Sequence, residues 1–297
     1  MTDDDASATA DAMIWAELRD LPMHGVSGKL SQCVRRIKSG VTAARVDLTP
    51  VRETPSVALF DARNAWGQLS GSRAMTAAIA KAKTQGIGLA IVRESSSAAA
   101  MGYYTTLAIR ERMIGVAITN GPPLIFDSAL SLISTGEIHT AQERGLQLAQ
   151  GLMLDKRGQP TTDPETALDG LYVPIGGHRG FGLALMWEVL TGVLSGAEFT
   201  GPNVGAPDVY DRRQGVSHTF IAIDPSVAMP SETFTSRVDD LIDQVHASPP
   251  AEGVSAILVP GERGQRISEQ RARDGIPIAP KRLAALHTLA EEMGVEW

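Results

Sequence analysis

Apolar residues recur at helical spacing through the first forty positions. After a frayed acidic start, Met13, Ile14 and Leu18 share one side of a helix predicted over Thr9–Arg19, and Asp20-Leu21-Pro22 stops it. Leu30, Cys33, Val34 and Ile37 mark a second helix ending at Ser39-Gly40, so Met23-His24-Gly25-Val26 falls on the break between the two. The period then changes. Val51–Asp61 has the apolar and β-branched content of a strand before the turn residues Asp61-Ala62-Arg63-Asn64, and a helix over Ser72–Thr84 turns Met75, Ile79 and Ala82 inward. Gly86–Val92 reads as a buried strand, Ala98–Arg112 as a helix and Met113–Thr119 as a strand, which is a β-α-β sequence.

Further on, Leu124–Asp127 predicts a short strand and Ser128–Ser134 a short helix. Asp155-Lys156-Arg157-Gly158 reads as a hairpin-like turn, and Thr162-Asp163-Pro164-Glu165 as a helix start with proline at the first helical position. Thr219–Asp224 and Val254–Val259 read as strands, Ser231–Val245 as an amphipathic helix and Pro280–Met293 as a terminal helix. Interleaved helices and strands make the class α/β or α+β.

Pro174–Gly196 stands apart. Gly176, Gly177, Gly180 and Gly182 give a flexible turn around His178 and Arg179, followed by a helix apolar around most of its circumference from Phe181 to Leu194. Such a helix is expected to be buried on nearly all sides. Its start, with free N–H groups and Arg179, suits a phosphate or carboxylate; close packing alone is the other use of such glycines.

The 297 residues carry a formal net charge of -7, without the basic footprint that nucleic acid requires. Cys33 is the only cysteine, which excludes an internal disulfide and fits a reducing compartment. The acidic N-terminus and the lack of a membrane-length apolar run lead us to expect a cytoplasmic protein with no membrane partner. None of the six histidines has metal-site spacing, so no metal is expected. G-x-S-x-G, the P-loop and a strand-borne G-x-G-x-x-G are absent, which leaves a standard Rossmann site unsupported.

On residue chemistry, His24 is the leading acid/base candidate, against a reading as a surface or capping histidine. Asp127 either orients it or caps the helix at Ser128. The hydroxyl-rich Arg93-Glu94-Ser95-Ser96-Ser97 connection lies where α/β proteins bind ligands, and its serines serve as caps or as phosphate contacts.

The motifs taken in order resemble the malate/L-lactate dehydrogenase type 2 family, which includes ureidoglycolate dehydrogenase and Δ1-piperideine-2-carboxylate reductase. They are Met23-His24-Gly25-Val26, Asn64-Ala65-Trp66-Gly67-Gln68, Thr119-Asn120-Gly121-Pro122-Pro123, Phe126-Asp127-Ser128-Ala129, Pro160-Thr161-Thr162-Asp163-Pro164, Gly176–Leu183, Ile223-Asp224-Pro225 and Val259-Pro260-Gly261-Glu262. The resemblance implies an α/β, non-Rossmann mixed-sheet NAD(P) fold with a helical N-terminal arm. It also implies a homodimer, and hydride transfer between NAD or NADP and a small 2-hydroxy, 2-keto or cyclic 2-imino carboxylate. It divides the chain into an arm (1–50), the first part of the body (51–112), a shortened cofactor-type region (113–175) and the rest of the body with the C-terminal helix (176–297).

By the same resemblance His24 and Asp127 are catalytic, Lys29 and Ser97 meet the substrate, and Gly121, Ser128, Arg179, Gly261 and Glu262 meet the cofactor. The chain departs from the family pattern in five places, one of them Gly121 where a serine is expected after Thr119-Asn120. Ser97 stands where the family has a histidine, and Gly28-Lys29 where it has an arginine. Arg179 replaces a lysine, and the segment that usually separates Asn120 from Leu124 is missing. An imine is easier to accommodate than a ketone after loss of the second histidine. The competing readings are a repurposed tautomerase, cyclase or lyase, and a catalytically silent partner subunit. The narrow apolar stripes of residues 9–40 lead us to expect that arm to pack on the body and on a second subunit.

Overall fold

In the computed structural model, which describes residues 2–45, 47–119, 130–199 and 210–296, the chain opens with helices α1 (Asp3–Leu18) and α2 (Val26–Lys38). There follow β1 (Pro50–Glu53), β2 (Val57–Ala65), α3 (Gly67–Gln85), β3 (Ile87–Ser95), α4 (Gly102–Arg110) and β4 (Ile114–Thr119). A smaller unit holds α5 (Thr135–Arg144), β5 (Met153–Leu154), β6 (Pro160–Thr161), α6 (Pro164–Leu168) and β7 (Leu171–Tyr172). The chain ends with α7 (His178–Glu188), β8 (Val216–Ile223), α8 (Ser231–His246), α9 (Glu262–Asp274) and α10 (Pro280–Met293). Among the described residues, no helix is long and apolar enough to cross a membrane.

The main sheet has the order β1-β2-β3-β8-β4, with β2 parallel to β3 and β8 antiparallel to both β3 and β4. The ends of β2, β3 and β4 therefore meet the start of β8 along one edge. Helix α3 lies on one face, and its small residues let it approach closely: a Cβ added to Gly88 would sit 1.9 Å from the Ala78 carbonyl oxygen. Ala74, Met75, Ala78, Tyr104 and Phe220 fill the core beneath it. Tyr104 stacks edge-on against Phe220 at 5.3 Å between centroids.

Several sequence expectations need correction. The acidic start is not frayed: Thr2 Oγ1 accepts the Asp5 N–H at 3.2 Å, and Asp3, Asp4 and Asp5 form the first turn of α1, where the helix dipole favours them. Asp5 also pairs with Arg73 at 2.6 Å. The helix expected from Ala98 starts at Gly102, because Ala99 has φ +60°. Residues 130–134 of the helix expected over Ser128–Ser134 are not helical. Ser131 bridges Pro174 instead, and Ser134 caps α5 through a reciprocal box with Glu137. Val254–Val259 has no ladder partner and forms no strand. The Leu124–Asp127 strand lies outside the described residues.

The largest correction concerns Phe181–Leu194. Helix α7 and the π-turn that continues it (Val189–Val193) press a small and hydroxylic edge inward: Gly180, Thr191, Gly192 and Ser195 are buried. Thr219 Oγ1 on β8 donates to the Leu190 carbonyl at 2.7 Å. The large apolar side chains are thereby turned outward, with Phe181 at 62% and Met186 at 64% exposure. The N-terminal arm, in contrast, is held within its own chain, α1 against α3 and α9 and α2 against α10.

Candidate active site at the carboxyl edge of the sheet

Both parallel strands lose their register at the edge where they end, β2 between Asp61 and Ala65 and β3 between Val92 and Ser95. The irregularities place Arg63 (φ +48°), Asn64 (φ +58°) and Glu94 (φ +51°) in the left-handed region, which non-glycine residues seldom occupy. Such strain gathers where the surrounding structure holds a working geometry. Arg213 spans the two bulges: it faces Glu94 at 3.9 Å, and with the Asn64 carboxamide oriented so that its oxygen meets the guanidinium, Nη1 donates to that oxygen at 3.2 Å.

Behind the bulges lies a buried polar cluster. Gly67, the first residue of α3, is pressed so closely on the following loop that a Cβ would sit 2.2 Å from the Ser96 carbonyl oxygen, and its N–H donates to Ser96 Oγ at 2.9 Å. The Ser70 and Ser95 hydroxyls pair at 2.7 Å, and the Ser97 N–H donates to Gln214 Oε1 at 3.0 Å. His218 is fully buried, with Nε2 3.1 Å from the Ser96 carbonyl and Nδ1 3.0 Å from Thr119 Oγ1. A carbonyl only accepts, so Nε2 carries the proton and Nδ1 accepts from the threonine. Burial lowers this imidazole to about 4 against the opposing Ser96 hydrogen bond, so it is a neutral clamp between the end of β4 and the serine loop.

His24 occupies the break between α1 and α2 as expected. Its N–H donates to the Leu21 carbonyl at 2.9 Å, and the Gly25 N–H to the Pro22 carbonyl at 3.2 Å. The buried Glu17 fixes the turn from the end of α1 by accepting the Ser27 N–H at 2.5 Å. Arg271 of α9 holds the Glu17 carbonyl and pairs with Asp20 at 2.6 Å. His24 is half-buried, and burial, followed by the charge of Lys29, lowers its imidazole to about 4. A neutral imidazole beside a lysine can accept a proton near an anion. Trp66 and Leu69 form a cluster with Met13 and Cys33 against which Val26 and Leu30 of α2 pack, and the Gly67 hydrogen bond ties the start of α3 to the Ser95–Ser97 loop.

The expected cofactor contacts that the structure describes stand at the starts of α7 and α9. Gly121, Asp127 and Ser128 lie outside the described residues. The chain re-emerges with Leu132 N–H on the Val173 carbonyl and Ile175 N–H on the Leu130 carbonyl, beside the glycine-rich turn. Gly176 and Gly177 have φ of +59° and +63° with open space where a Cβ would stand, no side chain caps α7, and Arg179 is exposed next to them. Gly261, at φ +89°, starts α9. Glu262 accepts from His246 at 2.9 Å and from the Val259 N–H at 3.1 Å and pairs with Arg266, which together hold its carboxyl at about 2. Sequence patterning singles out no role for His218, Thr119, Gln214 or Arg213. The available signal is a histidine at an inward strand position between Ser217 and Thr219.

Comparison with known proteins gives this geometry a context. The model of the malate/L-lactate dehydrogenase family matches residues 1–126 and 120–287, two stretches that overlap at 120–126. The L-sulfolactate dehydrogenase of Methanocaldococcus jannaschii is 33% identical over 99% of this chain and 92% of its own length, and its structure superposes with a TM-score of 0.90. The malate dehydrogenase of Pyrococcus horikoshii is 31% identical over 99% of this chain and 90% of its own, with a TM-score of 0.89. The NAD(+) ureidoglycolate dehydrogenase of Escherichia coli is 25% identical over 92% of this chain and 85% of its own. With the match running nearly end to end over a mixed-sheet fold, the chain belongs to the malate/L-lactate dehydrogenase family and is a dehydrogenase.

Proposed function

We propose that this oxidoreductase transfers a hydride between NAD or NADP and a small 2-hydroxy, 2-keto or cyclic 2-imino carboxylate. His24 carries the proton and Lys29 holds the carboxylate. The observation that carries the reading is the His24 turn: a half-buried imidazole lowered to about 4, with a lysine charge close enough to help lower it. The names of the relatives, acting on sulfolactate, malate and ureidoglycolate, supply the substrate class.

In the oxidative direction neutral His24 takes the hydroxyl proton as the C–H bond gives up its hydride and the carbinol becomes a carbonyl. Lys29 attracts the carboxylate as a point charge, without the bidentate grip of an arginine. Ser97 borders the same space, and Asp127 orients His24 or the substrate. Nicotinamide, when bound, supplies the hydride acceptor. The open backbone at Gly176-Gly177 and the uncapped start of α7 beside Arg179 fit an anionic phosphate of such a cofactor, with Gly121, Ser128, Gly261 and Glu262 as its further contacts.

The outward apolar face of α7 favours a homodimer in which a second copy covers it. Thermal-shift titration with NADH and NADPH tests the cofactor assignment. A ligand at 100 times its dissociation constant stabilises by about 2.7 kcal/mol, and no shift with either nucleotide at millimolar concentration refutes it.

A further inference from the structure

Gln68 is the second residue of α3 and has no exposed surface. Neither its Oε1 nor its Nε2 has a hydrogen-bond partner among the described residues, and the same is true of Nε1 of the neighbouring Trp66. Buried amides and indoles are ordinarily paired, so two unpaired groups within three residues at one helix entry mark a place built to meet something else. The polar groups around them are already engaged: Ser70 with Ser95, Gly67 with Ser96, Ser97 with Gln214, and His218 with Thr119 and Ser96.

Helical Cα–Cβ bonds tilt toward the N-terminus, so a long side chain at the second position covers the entry of its own helix. That entry is bounded by Trp66, which belongs with Met13, Cys33 and Leu69 to a cluster against which Val26, two residues beyond His24, packs. On its other side lies Gly67, where a Cβ would stand 2.2 and 2.4 Å from the carbonyl oxygens of Ser96 and Ser97. Gln68 thus stands at a helix entry whose flanking residues lead through Trp66 and Val26 toward His24 and through Gly67 toward Ser97, both half-buried.

We propose that Gln68 is a substrate-binding residue: its carboxamide, backed by the Trp66 indole N–H, hydrogen-bonds the carboxylate of the small 2-substituted acid between His24 and Ser97. Two N–H donors suit a carboxylate, which only accepts, and Oε1 serves the ligand's own N–H or O–H. The assignment rests on the reading of this site as one for small carboxylates.

Gln68→Met tests it, because methionine keeps the unbranched shape and deletes both polar atoms. We expect a melting temperature at or above wild type, an unchanged NADH shift, and a KM for malate and sulfolactate raised about 10- to 100-fold with kcat much less affected. Oxalate, a non-reacting dicarboxylate, should stabilise the wild type and fail to stabilise the variant. Wild-type KM together with a wild-type oxalate shift would overturn the proposal and leave the amide a buried water to hold. A variant that melts lower and loses its NADH shift with KM unmoved would overturn it in favour of a structural role. If the wild type oxidises neither acid, the dehydrogenase reading fails for those substrates and the oxalate arm alone decides Gln68. An oxalate shift lost in the variant upholds the proposal; an equal shift, or none in the wild type, overturns it.

Discussion

Helices α3 and α7 differ in the opposite sense from their sequences. Helix α3 is mixed in character, with Gly67, Gln68, Ser70, Gly71, Ser72 and a series of alanines, yet these residues are buried. Helix α7 with its π-turn is far more apolar, yet its large side chains are exposed. The number of elements bracketing a helix decides the outcome. Helix α3 is pressed between β2, β3 and β8 on one side and α1 and α4 on the other, so only small side chains fit where it meets the sheet. Helix α7 meets the sheet through glycine, threonine and serine, and among the described residues its large apolar side chains on the other side stand exposed. Apolar content shows that a surface must be buried somewhere, and the burying partner is a second copy if the proposed homodimer holds.

Two substitutions can break this comparison. Gly88→Val drives a side chain into the Ala78 backbone, and we expect a loss of about 3 kcal/mol or more, seen as failure to accumulate folded protein or as a large fall in urea midpoint. Met186→Asp places a charge on the 64%-exposed α7 face and should move the stability of the isolated chain by less than about 0.5 kcal/mol. Light scattering at micromolar concentration should nonetheless report a monomer for the variant and a dimer for the wild type. A variant that stays dimeric would place the interface elsewhere.

The buried edge of the sheet also makes a pH prediction. His218 is lowered to about 4 by burial, so between its unfolded value of about 6.5 and 4 the unfolded chain takes up a proton that the folded chain refuses. Its contribution is present in full above pH 6.5 and lost as pH falls, by up to about 3 kcal/mol at pH 4. Urea midpoints should drop across that window, and His218→Gln should flatten the drop. An unchanged slope in the variant would mean that this imidazole is not the titrating group.

The order of helices and strands was largely legible because period and turn chemistry are local. Asp163 before Pro164 and the Ser39-Gly40 stop behave as written. Ser134 is the counterexample: an expected helical residue whose side chain, three positions before Glu137, makes it a cap. The helix break that holds His24, the proposed proton carrier, was legible in the sequence. His218 and Gln68 were not, because their importance comes from strand pairing and helix entry that bring Thr119, Ser96 and Gly67 together from distant positions. The exposure of α7 was illegible because apolar pattern alone does not state which elements bracket a helix.

The most direct test of the account is turnover of His24→Ala, followed as nicotinamide absorbance with sulfolactate and malate and with NAD and NADP in turn. If His24 carries the proton, turnover falls by roughly 10² to 10⁴ while the melting curve and the nucleotide-induced shift stay those of the wild type, and Ser97→Ala costs much less. Near-wild-type turnover in His24→Ala, with activity abolished in Ser97→Ala, would contradict the account and move the chemistry to the serine loop.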